Sequence, residues 1–438
     1  MSIPTAPSRH VSAAASSIQT YYHDSAARPF PITPALIGDI AADIVIIGAG
    51  FTGVSAALDL AESGLKVIVL EANLIGAGAS GRNGGLVCSG WRHDQGWFEE
   101  KIGKADAAKV WSLAENAKAD LVARIKRYHI DADWQRGQIF AAHTPSLLNA
   151  LDADAEHMAD AYDYHQPVRL DRAGVAQALG TDAYYGGWRD PSAGHLHPLK
   201  LLFGLAHAAH NAGAIFHENT RAIEIGENGG QRFAKTATAT VRADHVLLCG
   251  DGYLDGIHAD VEARVLPIGS FVLATAPLDA DLAILPHHDS AMDTRFVVNY
   301  WRKSADNRLI FGGGEKYTPG WPNDIKTFVR ANMIKVYPQL SEVDITHAWG
   351  GALGITPTRL PFVRQYGRGL ISASGYSGQG VMLAPYFGRI LAQVVQGNLS
   401  QYDVVSRLPV PQFPGGRALR WPLLTAAMSW YALRDKLP

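Results

Sequence analysis

The sequence predicts an α/β protein in which a doubly wound, dinucleotide-binding domain is interrupted by an α+β domain built on an antiparallel sheet. Two observations carry this. A β-branched run, a glycine-rich turn, a helical stretch and a second apolar run follow one another from Ala42 to Ala72, and further glycine-rich turns close strand-like runs near Gly250 and Gly375. Between those turns, alternating and β-branched runs from 263 to 343 read as a separate sheet.

The βαβ unit comes first. Asp43 to Ile47 is the continuous apolar run expected of a parallel strand covered on both faces. Gly48-Ala49-Gly50-Phe51-Thr52-Gly53 follows at once, Val54 to Ser63 has helical composition, and Gly64 closes it. Lys66 to Leu70 is the second strand, with Glu71 at its end and Ala72 beyond. This is a Rossmann unit with GxGxxG at the strand-to-helix turn and an acid 18 residues after the last glycine. Gly48 serves the tight turn, Gly50 lets backbone approach a pyrophosphate, and Gly53 allows close helix packing, while the helix N-terminus offers free N–H groups and a favourable dipole. Glu71 is placed to accept hydrogen bonds from a ribose 2′-OH. The motif alone leaves NAD and FAD open.

The stretch Gly76-Ala77-Gly78-Ala79-Ser80-Gly81-Arg82-Asn83-Gly84-Gly85 comes next. With it the chain resembles the glutathione-reductase-like flavoproteins of the D-amino-acid oxidase family, most closely the branch that contains gamma-glutamylputrescine oxidase. The resemblance implies FAD, with Ser80 to Gly85 and Leu86 threading along its pyrophosphate and isoalloxazine, where small residues let backbone come close. It implies that Ala243 to Gly252 returns to the nucleotide at Gly250, and that backbone near Ala222 meets the adenine. Near the C-terminus Gly369 to Val381 reads as a strand, a glycine loop and a helix start. There the resemblance brings Gly375, Tyr376, Gly378, Gln379, Gly380 and Val381 to the flavin, with the helix N-terminus facing its pyrimidine ring. It covers roughly Tyr21 to Leu399.

Cofactor elements spread this widely imply a discontinuous domain. Residues 1–42 are expected as an N-terminal extension, 43–97, 196–262 and 344–400 as the FAD-binding domain, 98–195 and 263–343 as the substrate domain, and 401–438 as a C-terminal helical tail. Within the insertion Asp106 to Tyr128 has helical periodicity. Ser270 to Thr275, Arg295 to Tyr300 and Arg308 to Gly312 read as strands, the last two joined by a polar turn at Ser304 to Asn307.

The resemblance also implies a reaction. A C–H bond next to an amine is oxidised, a hydride passes to flavin N5, the imine hydrolyses to an aldehyde, and O2 or another acceptor takes the electrons. The protein then needs mainly to orient a small-molecule amine and exclude water, and no metal-ligand cluster is expected. Tyr300 and Arg302 fall on a strand expected to approach the flavin. Arg308 aligns with a lysine that sarcosine oxidases place beside N5, its plainer reading being an ion pair with an acid on a hairpin face. Amino-acid-oxidising relatives carry, after a Trp-x-Gly, an arginine that clamps the substrate α-carboxylate. Here Trp349-Gly350-Gly351-Ala352-Leu353 puts a leucine there, and Arg359 would substitute only with the loop placed differently. That favours an amine such as gamma-glutamylputrescine, with a secondary amino acid such as sarcosine or L-pipecolate as the alternative, and a flavin-binding subunit of a larger complex as the non-enzyme reading. Trp349 to Pro361 also lacks the cysteine that monomeric sarcosine oxidase uses for covalent attachment, so non-covalent FAD is expected, with Cys88 read as a spectator thiol. Trp91, Arg92 and His93 would line the pocket mouth.

Composition narrows the class further. The 438 residues include 39 Lys+Arg against 41 Asp+Glu, a balance without the electrostatic footprint of nucleic-acid binding. The 44 glycines show no collagen-like period and must sit at particular sites. Two cysteines far apart, and no basic-then-apolar leader in Met1 to Asp43, point to a cytoplasmic protein. The apolar run Ile44 to Gly53 is too short to span a bilayer, and Leu419 to Leu433 is expected to be a docked helix.

Overall fold

The computed structural model describes residues 19–254, 256–316 and 321–416; the segment Leu419 to Leu433 lies outside them. A six-stranded sheet runs in the order Phe362–Gln365, Leu370–Ser374, His245–Leu248, Ile44–Ile47, Val67–Leu70, Ile215–His217. All neighbours are parallel except the first pair. Strands Ile44–Ile47, Val67–Leu70 and Leu370–Ser374 are buried at every position and His245–Leu248 at all but His245, which is why they read as apolar runs rather than alternating ones. Helices Phe51–Glu62 and Gly380–Val395 bury ten and twelve residues against this sheet and one another. A four-stranded sheet, Ile40–Ala41, Thr240–Ala243, Gln231–Lys235 and Glu224–Asn228, flanks it.

The second large element is a nine-stranded sheet in the order Ile345–Ile355, Leu266–Pro277, Arg308–Lys316, Tyr300–Lys303, Ser290–Asp293, Gln135–Ala142, Gly186–His195, Leu86–Val87, with Val168–Leu170 beside Gly186–His195. It is antiparallel save for one parallel junction, Ser290–Asp293 with Gln135–Ala142. Trp301, Leu309 and Phe311 turn to a second core beneath helices Arg172–Leu179 and Ile325–Val336. The alternate positions of the same strands face the first domain.

Three expectations need correction. Ile345–Ile355 pairs with Leu266–Pro277 over ten registered positions, so this stretch belongs to the large sheet and the boundary expected at 344 moves beyond 355. Arg295 to Asn299 is an irregular loop and the strand starts only at Tyr300. The cause is Asp293, whose carboxylate accepts from the backbone N–H of Arg295 and Asn299 and from the Asn299 amide, curling the chain despite its β-branched composition. Residues 19–42 of the expected N-terminal extension are built into the body. Helix Tyr21–Ser25 is docked with both tyrosines buried, and Ile40–Ala41 pairs with Thr240–Ala243.

Candidate active site

The GxGxxG turn takes the form its sequence requires. Gly50 is the N-cap of helix Phe51–Glu62 and brings no side-chain cap to it. An added Cβ at Gly53 would stand 1.9 Å from Gly48 O, so only glycine lets the helix start this close to the strand. The Phe51 N–H is met by Ser80 Oγ at 2.9 Å, which joins the turn to the second glycine segment. Thr52 Oγ1 lies 2.7 Å from Tyr376 OH, which joins it to the third. Glu71 accepts from Ala49 N and Asn73 N at 2.9 Å each, and burial raises its carboxyl pKa against those two bonds. Ala72 follows it, half-buried, and Glu71 O accepts from Thr220 N two residues before buried Ala222.

The segment from Ser80 to Leu86 is fixed from both sides. Buried Arg82 donates to Ala77 O and Gly350 O, and its own carbonyl receives the Trp349 indole N–H. Asn83 donates to Ala79 O and Ser80 O and accepts from Gly85 N. Gly85, at φ +79°, is met so closely by Leu196 O that a Cβ would fall 2.1 Å from it. On the far side Asp251 accepts from Gly354 N and Gly375 N, tying the Gly250 turn to the third loop. Beyond it Gly378, Gln379 and Val381 open the helix Gly380–Val395, whose N-cap carries no side-chain hydrogen bond.

Between the two large sheets lies a cavity of about 1330 Å³. Its walls hold Arg82 to Leu86 and Ser377 to Gln379 on the first-domain side, and Gln138, Tyr164, Asp190, Met292, Phe296, Val298, Tyr300, Leu353 and Arg359 on the other. Trp91, Arg92 and His93 line it as well. The parts fit FAD: a helix N-terminus whose glycine N-cap brings no side chain, a half-buried acid at the second strand's end, and glycine backbone on a roomy cavity aimed at by a second helix N-terminus.

Of the three residues proposed for catalysis, Tyr300 lines this cavity, its ring against Gly84 and Gly312 and its hydroxyl pushed up to about 12 by burial. Arg302 lies behind the wall, 2% exposed, donating to Gly84 O, Lys303 O and Tyr22 OH. Arg308 is away from the cavity. It ion-pairs with Asp306 at 2.6 Å, donates to Thr275 O and Thr346 Oγ1, and lies over the Tyr21 ring. The three alternate residues share a sheet face, but helix Tyr21–Ser25 covers its far end, so Arg308, expected beside the flavin, does not line the cavity.

A network that sequence reasoning missed stands in the opposite wall. Asp190 accepts from Tyr164 OH and Ser89 Oγ at 2.6 Å and from Ser192 N and Oγ, while Lys118 donates to Ser89 and Ser192 and pairs with Glu115. Burial raises the Asp190 pKa, but these hydrogen bonds and the lysine outweigh it and hold the carboxylate ionised. Its members come from four separate segments with no motif to announce them.

The sequence profile of the FAD-dependent oxidoreductase family known as DAO matches residues 43–394. The chain belongs to this family. As a DAO-family protein it is 41% identical over 406 residues to the "Probable oxidoreductase OrdL" of Rhizobium meliloti, covering 93% of this chain and 95% of that one. It is 34% identical over 421 residues to the gamma-glutamylputrescine oxidoreductase of Escherichia coli, covering 95% and 98%. Among solved structures, glycine oxidase from Geobacillus kaustophilus superposes with TM-score 0.71 at 19% identity over 84% of this chain and all of that one, a likeness of fold. The chain is thus an FAD-dependent oxidoreductase, and among its described residues no helix is long and apolar enough to cross a membrane.

Proposed function

We propose that this DAO-family enzyme oxidises the C–N bond of an amine whose carboxylate lies away from the reacting carbon, as in gamma-glutamylputrescine. The observation that carries this is Leu353, which stands in the cavity wall at the position where amino-acid-oxidising relatives are expected to present an arginine. A free α-amino acid therefore lacks its anchor there. The name of the Escherichia coli relative supports the same reading.

Bound FAD supplies the two-electron acceptor. The chain's own residues hold and dry the substrate. Leu86, Trp91, Met292, Val298 and Leu353 give the cavity apolar walls that exclude water, and Tyr300 fixes the wall at Gly84. Asp190 keeps a negative charge in the opposite wall, where a positively charged amine is attracted on entry. We also propose that FAD is held without a covalent bond. The Cys88 thiol is raised by burial and donates to the Met292 sulfur, and Cys249 is buried and raised by burial.

The test is anaerobic mixing of the yellow protein with a panel of amines. Bleaching by gamma-glutamylputrescine is expected, and no bleaching by any amine or amino acid would sink the amine-oxidising reading. A second reading, oxidation of a secondary amino acid, draws on the cavity-lining Arg295 and Arg359 as alternative carboxylate holders. Bleaching by sarcosine or L-pipecolate, but not by the glutamylated amine, would favour it. Acid precipitation should leave the flavin in the supernatant.

A further inference from the structure

The cavity's arginines are not equivalent. Arg82 is bound to Ala77 O and Gly350 O, and Arg295 is ion-paired with Asp293. Arg359 also lines the cavity, half-exposed, yet among the described residues its guanidinium has no acidic partner and lies only over the Phe296 ring, 6.0 Å from its centroid. Of the acids that line the cavity, Asp293 is paired with Arg295, Asp190 is bonded by Ser89, Ser192 and Tyr164, and Asp94 accepts from the Trp97 N–H; Asp154, Glu156 and Glu315 line it too, and among the described residues no ion pair joins any of the six to Arg359.

The loop that presents Arg359 is fastened on both sides. The Thr358 carbonyl lies 2.7 Å from His93 Nε2, and the His93 ring stacks on Trp97 at 4.1 Å. Arg359 N donates to Thr356 O, Thr356 Oγ1 to Leu360 O, and Thr356 N to Ser377 Oγ beside the glycine loop. Arg359 itself sits at φ +58°, a conformation rare for a bulky side chain. A cavity-facing cation with no ion-pair partner among the described residues is a receptor for an anion, and the guanidinium fork matches a carboxylate.

We propose that Arg359 binds a substrate carboxylate remote from the oxidised carbon, so that this enzyme selects zwitterionic amines of the gamma-glutamyl type over simple amines. The proposal rests on the functional reading above. In it Leu353 removes the α-carboxylate clamp, and Arg359, six residues along the same segment, moves carboxylate recognition to another part of the cavity.

The test uses the FAD-loaded full chain and two ligands without the terminal amine: gamma-glutamylbutylamide and its α-methyl ester. Binding is read from the perturbation of the flavin absorption band. The wild type should bind the free acid about 10- to 100-fold more tightly than the ester, the worth of one charge-assisted pair. Arg359→Gly should abolish that preference while retaining flavin and melting temperature, because glycine accepts the positive φ without strain. Arg359→Lys should keep part of it. Equal binding of acid and ester by the wild type, or an undiminished preference in Arg359→Gly, would overturn the proposal. In turnover, Arg359→Gly should lose kcat/KM for gamma-glutamylputrescine chiefly through KM, and change little for N-acetylputrescine. If the wild type prefers the acid in binding yet oxidises neither amine, the amine-oxidising reading fails and the carboxylate site stands.

Discussion

His195 and His197 are 2% exposed, and both are held neutral: burial, and next the charge of Arg302, push each pKa down to about 3 from 6.5. His195 Nε2 reaches His288 O, while His197 caps helix Pro198–Asn211 through Lys200 N and meets Ser25 Oγ. Between them Leu196 N donates to Gly85 O, so this strand end braces the segment assigned to the flavin. The sign of the linkage follows. The unfolded chain takes up a proton on each histidine below pH 6.5 and the folded chain does not until about pH 3, so stability is whole above 6.5 and falls as pH drops. Each histidine withdraws about 2 kcal/mol at pH 5 and 4–5 kcal/mol near pH 3, a combined slope of about 2.7 kcal/mol per pH unit. Urea unfolding at pH 7, 6 and 5, followed by tryptophan fluorescence, measures that slope, and flavin fluorescence reports release. The perturbation is His195→Gln with His197→Asn, which keeps the donor to His288 O and an oxygen for the helix cap. The variant should start about 1–3 kcal/mol less stable at pH 7 and then lose less on acidification, so the two curves converge. A double variant whose acid slope equals the wild type's would refute the assignment.

Gly53→Ala forces a Cβ to 1.9 Å from Gly48 O, and the helix must shift at a cost of about 3 kcal/mol or more; flavin content and melting temperature should both fall, and an unchanged pair would contradict the close approach. Glu71→Lys replaces the acceptor of Ala49 N and Asn73 N and should strip FAD on gel filtration; full flavin retention would remove Glu71 from the ribose site. Arg308→Met breaks a partly exposed ion pair and should cost at most about 1 kcal/mol, with flavin reoxidation by O2 changed less than about twofold. A tenfold slower reoxidation with normal reduction by amine would return the cation to the flavin.

What could be read in the sequence depended on how local the physics is. Gly48, Gly53 and Glu71 were legible because strand, turn and helix settle their positions within thirty residues of chain. The face shared by Tyr300, Arg302 and Arg308 was legible too, since alternation fixes parity along paired strands. Which end of that face meets the cavity was not, because it is decided by Tyr21 and Tyr22 docking from nearly three hundred residues away. Asp293 defeated the strand expected at Arg295 to Asn299 for a different reason. One carboxylate bonding to four nearby donors outweighs β-propensity, and nothing in composition signals it. Ser89, Lys118, Tyr164 and Asp190 meet only in three dimensions.

Helix Tyr21–Ser25 has a consequence in time as well as in space. Its partners Asp306, Arg302 and His347 lie 285, 280 and 323 residues downstream of Tyr21, Tyr22 and Asp24. A segment made this far ahead of its partners must therefore wait for them before it can dock. Closing loops of that length is entropically costly and slow, so the brace behind Gly84 should be among the latest contacts to form. Until then two tyrosines and the strand end at His195 are exposed to other chains, and it is in this interval that the nascent enzyme is most open to aggregation.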